Sequence, residues 1–183
     1  YKPKVTKPAS FRLFGHGFHV YDSAIVIPLI IAGGNGKFPQ NRFISMQVRQ
    51  IDICPTLIDA FNFSNNNGYN LDGQSLMPLI EDKYFEEFPA YSEACGIVLV
   101  NENYWKAGIR TPKYKFIYKP YSPKKHEELY DLEVDPQEKK NIIKSRPLIA
   151  ESLKQQLLKI KGDETTGIKI VGRKMTEAEE KKL

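Results

Sequence analysis

A histidine in a glycine-flanked loop is the residue in this sequence best suited to proton transfer or anion binding. His16 lies between Gly15 and Gly17, and glycine lets the backbone approach a ligand closely. An imidazole can donate a hydrogen bond to developing negative charge, or move a proton near neutral pH. His19 follows three residues later in the same loop. For both residues, a purely structural loop histidine is the alternative that the bare sequence leaves open.

Other short patterns associated with catalysis fail on their spacing. Residues 33–37 follow an apolar run, but a phosphate-binding P-loop needs glycine where Ile31 stands and Ser or Thr where Phe38 stands. No Gly-x-Ser-x-Gly hydrolase motif occurs. The paired carboxylates Glu86-Glu87 and Glu127-Glu128 are interpreted as solvated surface.

The cysteines do not indicate a metal centre. Cys54 and Cys95 form neither a CxxC pair nor a Cys/His cluster, which argues against structural zinc and iron–sulfur clusters. Both have apolar neighbours, so we expect small, buried side chains. A disulfide between them stays open.

Composition excludes two classes of function. The 183 residues carry a formal net charge of +5, from 27 Lys+Arg and 22 Asp+Glu. This excess is spread along the chain, whereas a nucleic-acid surface clusters its basic residues, so we expect no nucleic-acid partner. The longest apolar run, residues 24–32, is about half the length that a membrane-spanning helix needs, so we expect no transmembrane segment.

The elements around the histidines are predicted from apolar patterning. Residues 25–32 form a short, β-branched apolar run, which is typical of a strand buried on both faces of a parallel sheet, although Pro28 favours a start inside the run. A helix is predicted over 51–63, with Asp52 as its N-cap. Residues 76–80 are predicted as a short helix or extended segment.

The second half of the chain predicts an antiparallel sheet and a helix. Short β-prone segments follow one another closely, at residues 90–100, 104–109, 114–119 and 128–132. Residues 135–138 have a capping-box pattern that opens a short helix or turn. Pro147 opens a longer helix that Gly162 ends, and one side of it is predicted to be apolar, through Leu148, Leu153, Leu157, Leu158 and Ile160. Residues 175–183 are predicted as a marginal exposed helix.

Together these elements predict an α/β protein in two parts. Residues 1–87 are assigned to the C-terminal part of a large α/β domain, and residues 88–183 to a small α+β subdomain. A buried strand at 25–32 needs hydrogen-bonding neighbours on both edges, and residues 1–80 show no such partner. The chain also begins with Tyr1. We therefore expect the C-terminal part of a longer protein, with its N-terminal remainder as a partner.

Six blocks of sequence, taken in order, resemble the sulfatases of the alkaline-phosphatase superfamily. The first runs from Gly15-His16-Gly17 through Tyr21-Asp22 to Ile27-Pro28-Leu29-Ile30-Ile31 and is similar to the family's HG-x-x-LY-(D/E) stretch followed by VPLII. The other blocks lie at residues 48–59, 71–80, 109–117, 128–138 and 176–183. The resemblance implies the C-terminal part of a sulfatase-like α/β sandwich, with a small antiparallel sheet and a C-terminal helix.

The resemblance also implies a metal-dependent hydrolase of sulfuric esters as the complete protein. Its cofactors would be a divalent metal, with calcium as the first expectation and manganese, magnesium or zinc as alternatives, and a formylglycine nucleophile. The family makes that nucleophile in a C/S-x-P-x-R motif, which this chain lacks. The family's Asp-His-Gly or Asp-Asn-Gly metal ligands are absent too. We expect both outside this chain, no metal ligands within it, and no activity from the fragment alone.

Two site residues follow from the resemblance. His16 matches the position where the family places a histidine or lysine against the ester oxygens, which implies a catalytic role. Its N–H would stabilise charge on the sulfate oxygens or protonate the leaving alkoxide. His19 is the candidate substrate-binding residue. The remaining residues are expected to be structural or to shape the pocket rim.

The substrate class remains open between related esters. A small-molecule or saccharide sulfate ester is the first expectation. A phosphodiesterase, a phosphonate hydrolase or a phosphoethanolamine-type transferase of the same superfamily is the alternative, because the deciding nucleophile lies outside this chain. A non-catalytic isolated domain is the third reading.

Overall fold

The structure is a computed structural model that describes residues 17–33, 35–63, 70–94, 105–121 and 127–162. The elements are α1 (Asp22–Ile25), a 3₁₀ turn (Gln50–Asp52), α2 (Ile53–Ala60), α3 (Met77–Ile80), β1 (Ala90–Ala94), β2 (Lys106–Arg110), β3 (Tyr114–Tyr118), β4 (Glu128–Asp131) and α4 (Pro147–Lys161). His16, Cys95 and the predicted helix over 175–183 lie outside the described residues. No helix among the described residues is long and apolar enough to cross a membrane.

The four strands form one antiparallel sheet in the order β1-β2-β3-β4, which confirms the predicted sheet. Ile109 pairs with Phe116, and Phe116 with Leu129. These three residues pack with Leu153 and Leu157 of α4 in one buried cluster. Because side chains alternate across a strand, the neighbours of Phe116 point to the opposite face of the sheet.

Helix α4 confirms the predicted helix but not the whole of its predicted apolar side. It runs from Pro147 to Lys161, and Gly162 follows with φ of 79°. Leu148 is 85% exposed and Ile160 is 52% exposed, so both were wrongly assigned to the buried side. At 100° per residue, Leu148 lies about 140° around the helix from Leu153.

The predicted strand at residues 25–32 is wrong for the described chain. Residues 22–25 form one helical turn, and residues 26–33 belong to no helix or strand. Val26, Ile27 and Ile30 are 57%, 69% and 85% exposed. An extended segment becomes a strand only by hydrogen bonding to a neighbouring strand, and the described residues place none beside it.

The predicted helix over 51–63 is present as α2, and Asp52 stands at its N-cap position as predicted, but its side chain does not cap the helix. The Asp52 carboxylate makes no capping bond to α2. It instead accepts hydrogen bonds from the guanidinium of Arg49, at 2.7 Å, and from the backbone N–H of Gln74, at 3.0 Å. Its side chain therefore ties the start of α2 to the 71–80 segment.

Two further contacts join α2 to the segment before α3. The Leu76 N–H donates to the Thr56 hydroxyl oxygen at 2.8 Å. A Cβ at Gly73 would lie 2.0 Å from the carbonyl oxygen of Ile51, so glycine is required there. The sequence blocks at residues 48–59 and 71–80 therefore pack together as one structural unit.

Cys54 is exposed, and the prediction of a buried thiol was wrong for it. The buried residues of α2 are Thr56 and Ala60. Cys54 lies about 160° around the helix from Thr56, on the outward side.

Candidate functional site

The segment from Phe18 to Asp22, which follows His16 and Gly17, lies on the sheet face opposite α4. Val20 in this segment is 1% exposed and packs in a cluster with Tyr130 and Ile117. A Cβ at Gly108 of β2 would stand 3.1 Å from a methyl carbon of Val20, so this glycine leaves room for the valine. Hydrophobic packing of Val20 thus holds the middle of the segment against the sheet.

A lysine binds the segment just ahead of Val20. The Lys106 ammonium donates a hydrogen bond to the Phe18 carbonyl oxygen at 2.8 Å. Burial, together with the nearby positive charge of Lys119, lowers the pKa of Lys106. This bond fixes a backbone group two residues after His16.

Tyr21 forms the next attachment, to a buried glutamate. The Tyr21 hydroxyl donates to Glu128 at 2.7 Å, and the Tyr130 hydroxyl donates to the same carboxylate at 2.9 Å. Lys119 also forms an ion pair with Glu128, at 2.5 Å. Burial raises the pKa of Glu128, but the bonds from Lys119 and the two tyrosines outweigh it and lower the pKa below its usual value. Glu128 is 7% exposed, so its assignment to solvated surface was wrong.

Asp22 lies at the centre of the second charged cluster, which we call the Asp22 cluster: Asp22, Arg110, Lys115 and Glu138. The Asp22 carboxylate pairs with Arg110 at 3.0 Å and with Lys115 at 2.8 Å. The Asp22 backbone N–H donates to the Glu138 carboxylate at 2.7 Å. Lys115, whose side chain is fully buried, also pairs with Glu138 at 2.8 Å.

The two acids of the Asp22 cluster respond differently to burial. Burial raises the pKa of Asp22, but the hydrogen bonds and charges of Arg110 and Lys115 outweigh it and lower the pKa. For Glu138 burial outweighs the stabilisation by Lys115, and the nearby Asp22 charge adds to it, so the pKa is raised. Two acids and two bases therefore meet at one site, in which Lys115 and Glu138 are buried and Asp22 and Arg110 are half-buried.

Glu138 corrects one sequence interpretation. Residues 135–138 do form a turn, in which the Glu138 N–H donates to the Asp135 carbonyl at 3.0 Å. The Glu138 side chain takes no part in a capping box, because it reaches Asp22 and Lys115. The turn was predicted, but the contacts of Glu138 with Asp22 and Lys115 were not.

The described structure covers one of the two histidines predicted for the site. His16 lies outside the described residues. His19 is half-buried, and its ring centroid lies 5.4 Å from that of Tyr21. The proposed substrate-binding role of His19 stays a prediction.

The described residues do not fit a metal site. Among them, no three His, Cys, Asp or Glu side chains are grouped so that they could hold a metal ion. The buried carboxylates of Asp22, Glu128 and Glu138 are each paired with a lysine or arginine. These pairs neutralise the charge that would attract a cation.

Sequence reasoning missed the charged residues that hold the segment. Lys115 stands between Tyr114 and Phe116 in β3, and alternation along a strand places its side chain on the face opposite Phe116. No local signal identified Asp22 or Glu138 as its partners, which are 93 and 23 residues away.

The fold of the described residues is also found in part of a solved enzyme structure. The solved structure of a phosphonate monoester hydrolase from Silicibacter pomeroyi is similar to it with a TM-score of 0.61, at 18% identity, over 80% of this chain and 31% of that chain. At this identity the likeness shows the fold alone.

Sequence similarity then shows the family. The family described as N-sulphoglucosamine sulphohydrolase, C-terminal, matches residues 10–163, and the chain belongs to this sulfatase family as a C-terminal portion. Arylsulfatase K of Gallus gallus is 29% identical over 146 residues, and that of Canis lupus familiaris is 30% identical over 146 residues. Each match covers 77% of this chain and 26% of the relative, so the chain spans about a quarter of these relatives. The resemblance stated from the sequence blocks is confirmed.

Proposed function

We propose that this chain is the C-terminal portion of a sulfuric ester hydrolase and contributes His16 to its active site. The family match over residues 10–163 carries the proposal, because it contains both His16 and the residues that hold the following segment. The arylsulfatase K relatives support an aryl sulfate as the first test substrate. A saccharide sulfate ester is the second substrate to test.

His16 would act on the sulfate group or on the leaving group. An imidazole N–H can stabilise charge on the ester oxygens, or give its proton to the departing alkoxide. The segment from Phe18 to Asp22 supports this role, because three separate attachments fix it to the sheet.

In this proposal, the metal ligands and the nucleophile lie outside this chain. The described carboxylates do not fit a metal site, so the proposal has no step at a metal held by them. The divalent cation, calcium first, and the formylglycine nucleophile remain expectations for the N-terminal remainder of the protein.

The exposed apolar side chains support the packing of another part of the protein against this chain. Val26, Ile27 and Ile30 form a continuous exposed stretch, and single-domain proteins rarely leave such patches uncovered. We propose that the N-terminal remainder packs on this stretch.

The direct test is a histidine substitution in the complete protein. We expect His16→Ala to lower kcat for an aryl sulfate at least about tenfold, the low end for loss of an acid or oxyanion donor, with an unchanged unfolding midpoint. His126→Ala is the matched control, and it should retain full activity. An unchanged rate in His16→Ala would reduce His16 to a structural loop residue.

A phosphonate or phosphate ester is the second candidate substrate class. The reason is that the nucleophile, which decides between sulfate and phosphonate or phosphate esters, is expected outside this chain. Assaying the complete protein with matched aryl sulfate and aryl phosphonate esters decides between the two by the larger kcat/KM.

The 183-residue chain alone is expected to turn over neither an aryl sulfate nor an aryl phosphate. The reason is that the nucleophile and the metal ligands are expected elsewhere in the protein. Metal-dependent turnover by this chain alone would contradict that expectation.

A further inference from the structure

We propose that the loop of residues 139–146, which we call the basic loop, is a docking surface for a chain of sulfated sugars. The choice of partner rests on the proposed function, in which a saccharide sulfate ester is one of the substrates. The basic loop adds a binding surface outside the residues that the proposed function uses.

The basic loop carries positive charge without a compensating acid. The acids nearest to it in the sequence are Glu138 and Glu151. Glu138 is only 3% exposed, and its carboxylate binds Lys115 and the Asp22 backbone N–H, so its charge is already paired. The loop itself contains four cations and no acid: Lys139, Lys140, Lys144 and Arg146.

These four cations are exposed and form no ion pair with a described residue. Other exposed lysines do form such pairs, as Lys83 does with Glu81 and Lys113 does with Glu133. Asp135 lies near the basic loop, but its carboxylate accepts the backbone N–H of Lys140, at 2.7 Å. The side chains of the loop therefore remain available to an external anion.

The backbone of the basic loop is held firmly against the sheet. The Ile142 N–H donates to the Leu129 carbonyl oxygen of β4 at 2.8 Å, and the Asn141 side-chain oxygen accepts the Leu129 N–H at 3.1 Å. The Arg146 N–H then donates to the Ile142 carbonyl oxygen at 3.1 Å and closes a turn. A loop that is ordered before binding loses less freedom when a partner docks.

The composition of the basic loop favours a sulfated sugar chain among polyanions. Short runs rich in lysine and arginine are typical of surfaces that bind heparin or nucleic acid. Residues 139–150 contain no Phe, Tyr or Trp, on which the bases of a single strand would stack. Ile142 and Ile143 pack against the buried cluster that α4 forms with the sheet, so they offer no apolar face to a bilayer.

The test measures the binding of a heparin octasaccharide to the complete protein at about 0.15 M salt. The loop variant combines Lys139→Gln, Lys140→Gln, Lys144→Gln and Arg146→Gln. We expect its Kd to rise at least about tenfold, the low end for the loss of four exposed ion pairs. The dependence of Kd on salt should also weaken, because fewer counterions are released on binding.

The matched control makes the same change in net charge at four other exposed lysines, through Lys37→Gln, Lys83→Gln, Lys113→Gln and Lys159→Gln. Its Kd should change less than about twofold, because salt screens charges that do not contact the ligand. Unchanged binding by the loop variant would overturn the proposal. An equal rise in Kd for both variants would also overturn it, since net charge alone would then explain the binding.

Two further probes separate a sugar chain from other polyanions. Leu148, just after the basic loop, is 85% exposed and would favour a lipid surface, so one probe is vesicles of phosphatidylserine and phosphatidylcholine in equal parts. The other probe is a single-stranded DNA that carries the same charge as the octasaccharide. We expect heparin to bind most tightly, and tighter binding of either other probe, lost in the loop variant, would overturn the proposal.

The binding measurement needs no turnover. If the complete protein hydrolyses no sulfate or phosphonate ester, the proposed function fails, while the comparison of the loop variant with its control still decides whether the basic loop binds the sugar chain.

Discussion

The sheet with α4 and the region between residues 26 and 63 contain similar apolar side chains but bury them very differently. In the sheet and α4, four large residues have no exposed surface: Ile109, Phe116, Leu129 and Leu157. In the earlier region, side chains of the same kinds are 57% to 90% exposed: Val26, Ile27, Ile30, Phe43 and Phe63. Apolar character therefore predicts that a segment must be buried, but not which part of the protein buries it. The sheet buries its apolar residues within the described chain, whereas these five side chains of the earlier region stay exposed; Phe38 of the same region is the contrast, at 8% exposed.

The largest expected effect lies in the buried region. Leu157→Ala should lower the free energy of unfolding by about 2–5 kcal/mol, because it leaves a cavity against the sheet. Leu148→Ala on the same helix is the control and should change it by less than about 0.5 kcal/mol, since Leu148 is 85% exposed. Urea unfolding of the 183-residue chain measures both. Equal losses would contradict the burial contrast along α4.

The second prediction concerns the Asp22 cluster, which joins the chain just before residue 26 to the sheet. The lowered pKa of Asp22 contributes stability that is present above its ordinary value of 3.8 and is lost as the pH falls through the folded value. The raised pKa of Glu138 acts in the opposite direction. Its unfolded form loses the proton first, so its contribution falls as the pH rises from 4.5 through the folded value.

Glu138→Gln removes this opposing contribution. Between about pH 4 and pH 7, the free energy of unfolding of the variant should rise more steeply with pH than that of the natural chain. Urea unfolding at several pH values measures the slope. Glu133→Gln, at an exposed pair with Lys113, should leave the slope unchanged. A shallower slope for Glu138→Gln would contradict the raised pKa.

The smallest expected effect lies in the exposed region. In the 183-residue chain, Ile30→Ser should change the free energy of unfolding by less than about 0.5 kcal/mol, because the side chain is 85% exposed. It should also reduce self-association, which light scattering measures. Val134→Ser, at a site 81% exposed beside the sheet, is the control. A loss as large as that of Leu157→Ala would show that Ile30 is buried in solution.

The parts of the fold that depend on nearby residues could be predicted. The antiparallel sheet follows from short β-prone segments separated by turns, since each strand pairs with the next one along the chain. Helix α4 follows from Pro147 and Gly162 at its ends. Leu148 was misassigned because apolar residues in a first turn can lie beside the buried stripe without belonging to it.

The parts that depend on distant residues could not be predicted. Glu128 looked like solvated surface next to Glu127, yet its hydroxyl partner Tyr21 is 107 residues away. Residues 25–32 have the composition of a buried strand, but the described chain supplies no neighbour for them. His16 was found from its glycine neighbours and from the resemblance, whereas Lys115 and Glu138 become visible only through contacts in the structure.

The long sequence separation within the Asp22 cluster has a consequence for synthesis of the protein. Asp22 leaves the ribosome 116 residues before Glu138, an interval of about 6–23 s at 5–20 residues per second. The sheet must be translated before the segment can attach to it, and the apolar stretch beside the segment stays uncovered meanwhile. Slowing or pausing translation between these positions would lengthen the period in which a nascent chain is open to aggregation or chaperone capture.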